Sequence, residues 1–136
     1  MVDAFDSDVL IYAAVGHDLG HGVKRMFERL DHPRQRVGIG SVMLLPEVLS
    51  KPLRDQQAAQ HVKLQGMLSR LELHPADQQI ALLATSLGAT YRLRAADAIH
   101  LATAVAGGAD RFITNNRSDF TAEITEIDVV YPDQLA

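Results

Sequence analysis

The alternation of strand-like and helical segments constrains the fold of this chain more than any other feature of its sequence. Helical segments, in which apolar residues recur every three or four positions, separate short apolar runs with strand character. Strands that alternate with helices form a largely parallel sheet with helices on both faces. We therefore predict an α/β fold with such a sheet. The five predicted strands cover residues 2–5, 36–40, 71–74, 111–114 and 127–131.

The helix boundaries follow from capping residues, proline and glycine. Ser41 is a suitable N-cap for the third helix, Pro75 and Asp77 open the fifth, and the glycine pair at 107–108 ends the sixth. Because no repeat or linker divides the chain, we predict a single domain over residues 1–136. The six predicted helices cover residues 9–15, 23–30, 42–50, 56–71, 78–91 and 95–106.

The size and composition of the chain narrow its class. With 136 residues it can bury a sizeable core, and without cysteine it has neither a disulfide framework nor a thiolate metal site. No stretch reaches the roughly 18 uninterrupted apolar residues of a membrane span, and the first residues carry acids and no basic leader. We expect a soluble, cytoplasmic protein. The net charge of −4 argues against binding nucleic acid through bulk charge alone.

Five acidic residues occupy positions that are unusual for carboxylates. Asp6 and Asp8 directly follow the first strand, and Asp119 lies a few residues beyond the fourth, near the strand ends where α/β folds place functional groups. Glu47 and Asp97 interrupt apolar helical segments, where an unpaired carboxylate is unfavourable. A divalent cation shared by these side chains would offset both their desolvation and their mutual repulsion.

Most of these acids also have an individual explanation that needs no metal. Asp8 is better explained as the N-cap of the first helix, and Asp97 could simply open its own helix. Asp119, in "NNRSDF", suits an ordinary turn, whereas Glu47 has no such explanation. The predicted metal site therefore rests on the whole set of acids.

Four motifs give the chain a specific resemblance. In chain order they are "FDSDVLIY", "LLPEVLS", "RAADAIHLATA" and "ITNNRSDF". With these motifs the chain resembles the PIN-domain nucleases over essentially its whole length, and within them the VapC-type toxins of toxin–antitoxin modules. The resemblance implies a three-layer α/β/α sandwich and an endoribonuclease that depends on Mg²⁺ or Mn²⁺, the ions that carboxylate ligands without His or Cys select.

The resemblance also assigns roles to individual residues. Asp6, Glu47 and Asp97 match the three main metal-binding acids of the family. Asp119 matches the fourth, because Asn116 stands where many relatives carry an acid. The nucleophile is then a metal-activated water, so that no side chain attacks the phosphate. The predicted supporting or substrate-binding residues are Ser7, Asn115, Asn116, His100, Arg94 and Arg117.

Other residues near the acids are predicted to support the site. His100 lies one helical turn after Asp97 on the same face, and we interpret it as a structural or supporting residue and not as a metal ligand. An acidic pocket does not attract RNA, so nearby cations would have to contact the RNA backbone. The candidates are Lys51, Arg54, Arg92, Arg94 and Arg117.

The likeness to toxins further implies three partners: an RNA substrate, a VapB-type antitoxin that silences the enzyme, and a second copy in a homodimer. Two alternatives stay open. The motif "FDSDVL" also resembles the nucleophile motif of haloacid-dehalogenase-type phosphatases, in which Asp6 would attack phosphate. A PIN fold whose catalysis is weakened at Asn116 could instead bind RNA or a partner without cutting RNA.

Overall fold

A computed structural model of the chain describes residues 1–135 and contains helices and strands in the predicted alternating order. Short 3-10 turns lie at Asp18–Gly20 and Pro132–Gln134. Within residues 1–135, no helix combines the length and the apolar character that crossing a membrane requires. The elements are β1 (Asp3–Phe5), α1 (Ser7–Val15), α2 (His21–Glu28), β2 (Gly38–Ser41), α3 (Leu44–Arg54), α4 (Ala58–Leu68), β3 (Leu71–His74), α5 (Gln78–Tyr91), α6 (Ala95–Ala106), β4 (Arg111–Ile113) and β5 (Asp128–Val130).

All five strands form one parallel sheet in the order β3-β2-β1-β4-β5. The chain starts at the centre of the sheet, builds outward to β3, and then crosses to β4 on the other side of β1. The strand order therefore reverses between β1 and β4. In open parallel sheets, the carboxyl ends of the strands at such a reversal enclose a crevice. This crevice is where side chains that follow β1 and β4 come together.

Two separate cores lie on the two faces of the sheet. Phe5 and Ile113 pack with buried residues of α1, α2, α3 and α4. Ala4 and Phe112, which neighbour them along β1 and β4, pack instead with buried residues of α5 and α6. Because successive side chains of a strand point to opposite faces, this division places helices on both sides of the sheet. The predicted α/β fold in three layers is confirmed.

The third and fourth helices differ from their predicted limits. Helix α3 continues through the buried Pro52 to Arg54, beyond the predicted end at residue 50. The prediction that the next helix starts at residue 56 is wrong, because Gln56 has a left-handed backbone (φ 55°) and separates α3 from α4. A left-handed residue cannot continue a right-handed helix. Ser41 ends β2, and its hydroxyl still accepts a hydrogen bond from the N–H of Met43 ahead of α3.

An ion pair joins the two central strands at the end opposite the crevice. Asp3 and Arg111 are register partners on β1 and β4, and the guanidinium donates two hydrogen bonds to the carboxylate at 2.7 and 3.1 Å. Asp3 is only 7% exposed. Its negative charge therefore depends on Arg111 for compensation.

Replacing Arg111 with alanine is expected to lower the free energy of unfolding by about 2 kcal/mol, because the Asp3 carboxylate would stay buried without its partner. Urea unfolding followed by circular dichroism measures the change. The matched control is Arg54→Ala, which breaks an Arg–Asp pair whose guanidinium side chain is 72% exposed. The control should cost less than about 0.5 kcal/mol, and equal losses in the two variants would contradict the structural role of the buried pair.

Candidate metal centre

The crevice between the carboxyl ends of β1 and β4 collects the acids that the sequence singled out. Asp6 follows β1, and Asp97 lies in the first turn of α6. Asp6, Asp119 and Glu47 each lie near enough to Asp97 for their negative charges to raise its pKa. The charges of Asp6 and Asp97 likewise raise the pKa of Asp8, which lies in the first turn of α1. The five carboxylates therefore form one electrostatically coupled group.

Asp6 is fixed by donors from two elements. Its backbone is extended (φ −82°, ψ 163°), and its carboxylate caps α1 by accepting a hydrogen bond from the N–H of Ser7 at 2.8 Å. The other carboxylate oxygen accepts a hydrogen bond from the hydroxyl of Thr114 at 2.7 Å. Asp6 is 5% exposed. A carboxylate held in this way has a fixed position at the head of the crevice.

The prediction that Asp8 caps α1 is wrong. The helix begins at Ser7, two residues earlier than predicted, so Asp6 takes the capping position and Asp8 falls inside the first turn. The Asp8 carboxylate accepts the backbone N–H of Asn115 at 3.1 and 3.3 Å instead. Asp8 thereby ties the start of α1 to the loop after β4. Asn115 contributes to this contact through its backbone.

Thr114 is a residue of the site that the sequence reasoning missed. It directly follows β4 and is fully buried. Its hydroxyl donates to Asp6 and accepts the N–H of Asn116 at 3.0 Å. Its position at the end of the strand beside β1 could have identified it, but the pairing of β4 with β1 is known only from the structure.

Asn116 organises the turn that carries Asp119. Its side-chain amide donates to the Asp119 carboxylate at 2.9 Å. Its side-chain carbonyl accepts the Ser118 hydroxyl at 3.0 Å and the Asp119 N–H at 3.3 Å. The asparagine that departs from the acid of many relatives therefore orients Asp119.

Glu47 and His100 connect α3 to α6 across the rim of the crevice. The His100 Nε2 and a Glu47 carboxylate oxygen form a hydrogen bond that is also an ion pair when the ring is protonated. Burial of the ring lowers the pKa of His100, but the hydrogen bond and charge of Glu47, together with the charges of Asp6 and Asp97, raise it overall. His100 is 3% exposed, whereas the Glu47 side chain is 29% exposed. The buried ring thus holds a carboxylate that still reaches solvent.

Two carboxyls of the crevice, those of Asp8 and Asp97, resist ionisation. Burial, followed by the charge of Asp6, raises the pKa of Asp8 to about 7 and that of Asp97 to about 6. Oxygen donors with these properties fit a hard divalent cation, which would compensate the repulsion. Among residues 1–135, however, no three His, Asp or Glu side chains are already spaced as a closed ligand set. The donor chemistry therefore suits Mg²⁺ or Mn²⁺ without forming a rigid cage.

The predicted cations differ in how freely they face solvent. Arg117 donates to Asp133, and its guanidinium lies over the Tyr131 ring, 4.3 Å from the centroid. Arg94, just before α6, and Lys51, one turn after Glu47 on α3, are exposed and form no ion pair within residues 1–135. The remaining two candidates are Arg54, which pairs with Asp55, and Arg92, which is exposed at the end of α5.

Comparisons with known proteins agree with this fold. The model of the PIN domain family matches residues 4–122. A toxin–antitoxin complex from Klebsiella pneumoniae contains a chain that is 28% identical, with a TM-score of 0.73 and coverage of 96% of this chain and 97% of that one. VapBC2 from Rickettsia felis, solved with a promoter DNA fragment, has 17% identity, a TM-score of 0.73 and coverage of 96% and 98%, and supports the fold alone. The search of the curated proteins found no match.

Replacing Thr114 with valine is expected to lower the free energy of unfolding by about 2 kcal/mol, because Asp6 and the Asn116 N–H both lose a buried hydrogen-bond partner. Denaturant unfolding measures the loss. Thr103→Val is the matched control, since Thr103 is equally buried but its hydroxyl only donates to the Ile99 carbonyl of its own helix. A control variant that loses as much stability as Thr114→Val would contradict the role assigned to Thr114.

The raised pKa values of Asp8 and Asp97 should make the metal-free protein less stable as the pH rises. Both carboxyls keep a proton in the folded state at pH values where an ordinary Asp, with a pKa of 3.8, has lost it. The folded state therefore binds more protons than the unfolded chain between about pH 4 and 7, so their contribution to stability declines across that window.

Asp97→Asn removes the group whose pKa is raised to about 6, so the stability of the variant relative to the wild type should increase from about pH 4 to about pH 6.5 and stay level above that. Unfolding in EDTA at a series of pH values measures this difference. Asp128→Asn, at an exposed position where β5 begins, should show no such rise. A constant difference for Asp97→Asn would mean that the folded protein does not hold the extra proton.

Proposed function

The chain belongs to the PIN-domain family, and from this premise we propose that it is a metal-dependent endoribonuclease, the toxin component of a VapBC-type toxin–antitoxin module. The observation that carries the proposal is the coupled group of carboxylates at the carboxyl ends of β1 and β4. The family match and the likeness to a solved toxin–antitoxin complex support a nuclease of this kind.

We assign the metal to Asp6, Asp97, Glu47 and Asp119. The chemistry that bound Mg²⁺ or Mn²⁺ supplies in an oxygen ligand set is the activation of water and the neutralisation of charge on a phosphodiester. The chain's own groups prepare this set. The backbone N–H of Ser7 and the hydroxyl of Thr114 orient Asp6, and the side-chain amide of Asn116 orients Asp119.

His100 has the corresponding task for Glu47, because its buried ring holds the one acid that comes from α3. Removing a hydrogen bond that fixes a metal ligand commonly lowers metal affinity or activity by about 10- to 100-fold. Arg94 and Lys51 are the exposed cations that we assign to the RNA backbone. The surrounding acids would otherwise repel the phosphates.

The proposed partners are an RNA substrate, a VapB-type antitoxin and a second copy of the chain in a homodimer. The antitoxin is supported by the likeness to a chain from a toxin–antitoxin complex. We place the activity in the cytoplasm, where a toxin would meet cellular RNA.

The two alternatives are less well supported. The family match over residues 4–122 is to PIN domains, which leaves the phosphatase hypothesis for "FDSDVL" without support. A protein that only binds RNA was suggested by Asn116, but the amide of this residue donates to Asp119 and so maintains the fourth acid.

Cleavage of a cellular RNA pool by the purified protein with Mg²⁺ or Mn²⁺ tests the proposal. Asp6→Asn and Asp97→Asn keep the side-chain shape but remove the charge, so cleavage should fall by more than about 100-fold, beyond the usual effect of a supporting residue. EDTA should have the same effect. Asp8→Ala should only reduce cleavage, because Asp8 is assigned no metal.

Asp128→Asn is the matched control, since it makes the same substitution at the amino end of an edge strand. Its cleavage rate should equal that of the wild type. Cleavage that persists in Asp6→Asn and Asp97→Asn would refute the assigned site. Release of phosphate from small esters without RNA cleavage would favour the phosphatase, and an RNA mobility shift without cleavage would favour the binding protein.

A further inference from the structure

The charges of this acidic protein are distributed very unevenly. Residues 24–37, which include most of α2 and the loop to β2, and residues 63–71 at the end of α4 form what we name the basic face. It holds seven of the 13 Lys and Arg residues and two of the 17 Asp and Glu residues. The rest of the chain has six basic residues against fifteen acidic ones. Such segregation favours a negatively charged partner on one side of the molecule.

The two segments of the basic face lie together. Helices α2 and α4 both pack on α1. The Arg70 guanidinium donates to the backbone carbonyls of Gln35 at 3.2 Å and His32 at 2.8 Å, and the Arg70 carbonyl accepts the N–H of Val37 at 2.8 Å. The loop is thus held against the end of α4 by its own hydrogen bonds.

This arrangement presents cations to solvent with few compensating acids. Within residues 1–135, the only ion pair of the basic face joins Lys24 to Glu28, at 3.8 Å. Arg34 and Arg36 are exposed in the loop between α2 and β2. The other cations of the face without an ion pair are Arg25, Arg29, Lys63 and Arg70.

The composition of the face favours a nucleic-acid backbone over a protein segment. Protein interfaces depend on a few large apolar side chains at their centre. The large apolar side chains that the structure exposes within residues 1–135 all lie outside the basic face. A phosphate backbone, in contrast, needs only cations, and arginine is well suited to bind phosphate.

The basic face lies at the other end of the sheet from the metal centre. Arg36 lies just before the amino end of β2, and Arg70 directly precedes β3. The acids of the metal centre lie instead at the carboxyl ends of the parallel strands β1 and β4. We propose that the basic face binds the phosphate backbone of the substrate RNA at a distance from the cut. This inference rests on the proposed ribonuclease function, and it limits efficient substrates to RNAs long enough to reach both regions.

Binding of labelled RNA to the protein in EDTA tests the inference without requiring cleavage. Arg34→Gln combined with Arg36→Gln removes two exposed charges. The matched control combines Gln78→Glu and Gln79→Glu, which reaches the same net charge at exposed positions on α5, in the opposite helix layer. The probes are two oligouridylates. One has about 30 nucleotides, which is longer than the usual single-strand site, and the other has about 6, which is near the lower end of the usual length.

The arginine variant should bind the long probe about tenfold more weakly at low salt, with a salt slope reduced by about 1.4, which corresponds to two lost phosphate contacts. The short probe should bind the wild type more weakly than the long probe does, because it offers fewer phosphates to the face, and the arginine variant should bind it more weakly still. The control variant should keep the affinity of the wild type for both probes. Thermal unfolding should show that both variants are folded, since all four positions are exposed.

Several results would overturn the inference. One is unchanged affinity of the arginine variant for the long probe, and another is an equal loss in the control, which would indicate an effect of net charge alone. A third result uses poly-glutamate as an additional probe: if the arginine variant loses binding to poly-glutamate but binds RNA unchanged, the face belongs to an acidic protein segment. Failure of the ribonuclease proposal is separate, since it would appear as absence of RNA cleavage by the wild type with Mg²⁺ or Mn²⁺, whatever the binding results.

Discussion

The repulsion among carboxylates at one end of the sheet is the constraint on which the site depends. Burial, followed by the charge of the nearby Asp6, raises the pKa of Asp8 to about 7. Each is kept in place by donors of the loop after β4: the Thr114 hydroxyl for Asp6, and the Asn115 N–H for Asp8. Because β1 and β4 pair directly, the strand register decides whether these donors meet the acids. The fold therefore keeps together charges that would otherwise separate.

The sequence was sufficient to predict the architecture and to single out the acids that the structure brings together, for different reasons. The order of strands and helices follows from local periodicity, which every segment carries in its own residues. Glu47 and Asp97 were noticed because a carboxylate is anomalous in an apolar helix. Thr114 was missed because a threonine at the end of a strand is unremarkable, and its contact with Asp6 spans 108 positions in the sequence. Such a contact depends on tertiary structure, as does the displacement of Asp8 from the capping position.

Asn116 illustrates how one substitution is interpreted differently from sequence and from structure. From sequence it is the loss of an acid, and it suggested weakened catalysis. In the structure its amide donates to Asp119, while its carbonyl accepts from the turn that carries Asp119. An asparagine here removes one negative charge from an already crowded group and supplies a donor that an aspartate could not. A carboxylate at this position would increase the repulsion around Asp97, whose pKa is already raised to about 6.

The same repulsion bears on how RNA approaches the molecule. A net charge of −4 suggests a protein that phosphate avoids, but this value is the sum of an acidic majority and a basic face. Charges separated by more than a Debye length, about 8 Å at physiological salt, are largely screened from one another. The basic face at the amino ends of β2 and β3 can therefore attract phosphate even though the crevice at the opposite end of the sheet repels it. An RNA held first by the basic face would enter the crevice from a fixed direction. The net charge of the protein would then matter less for RNA binding than the distance between the basic face and the crevice.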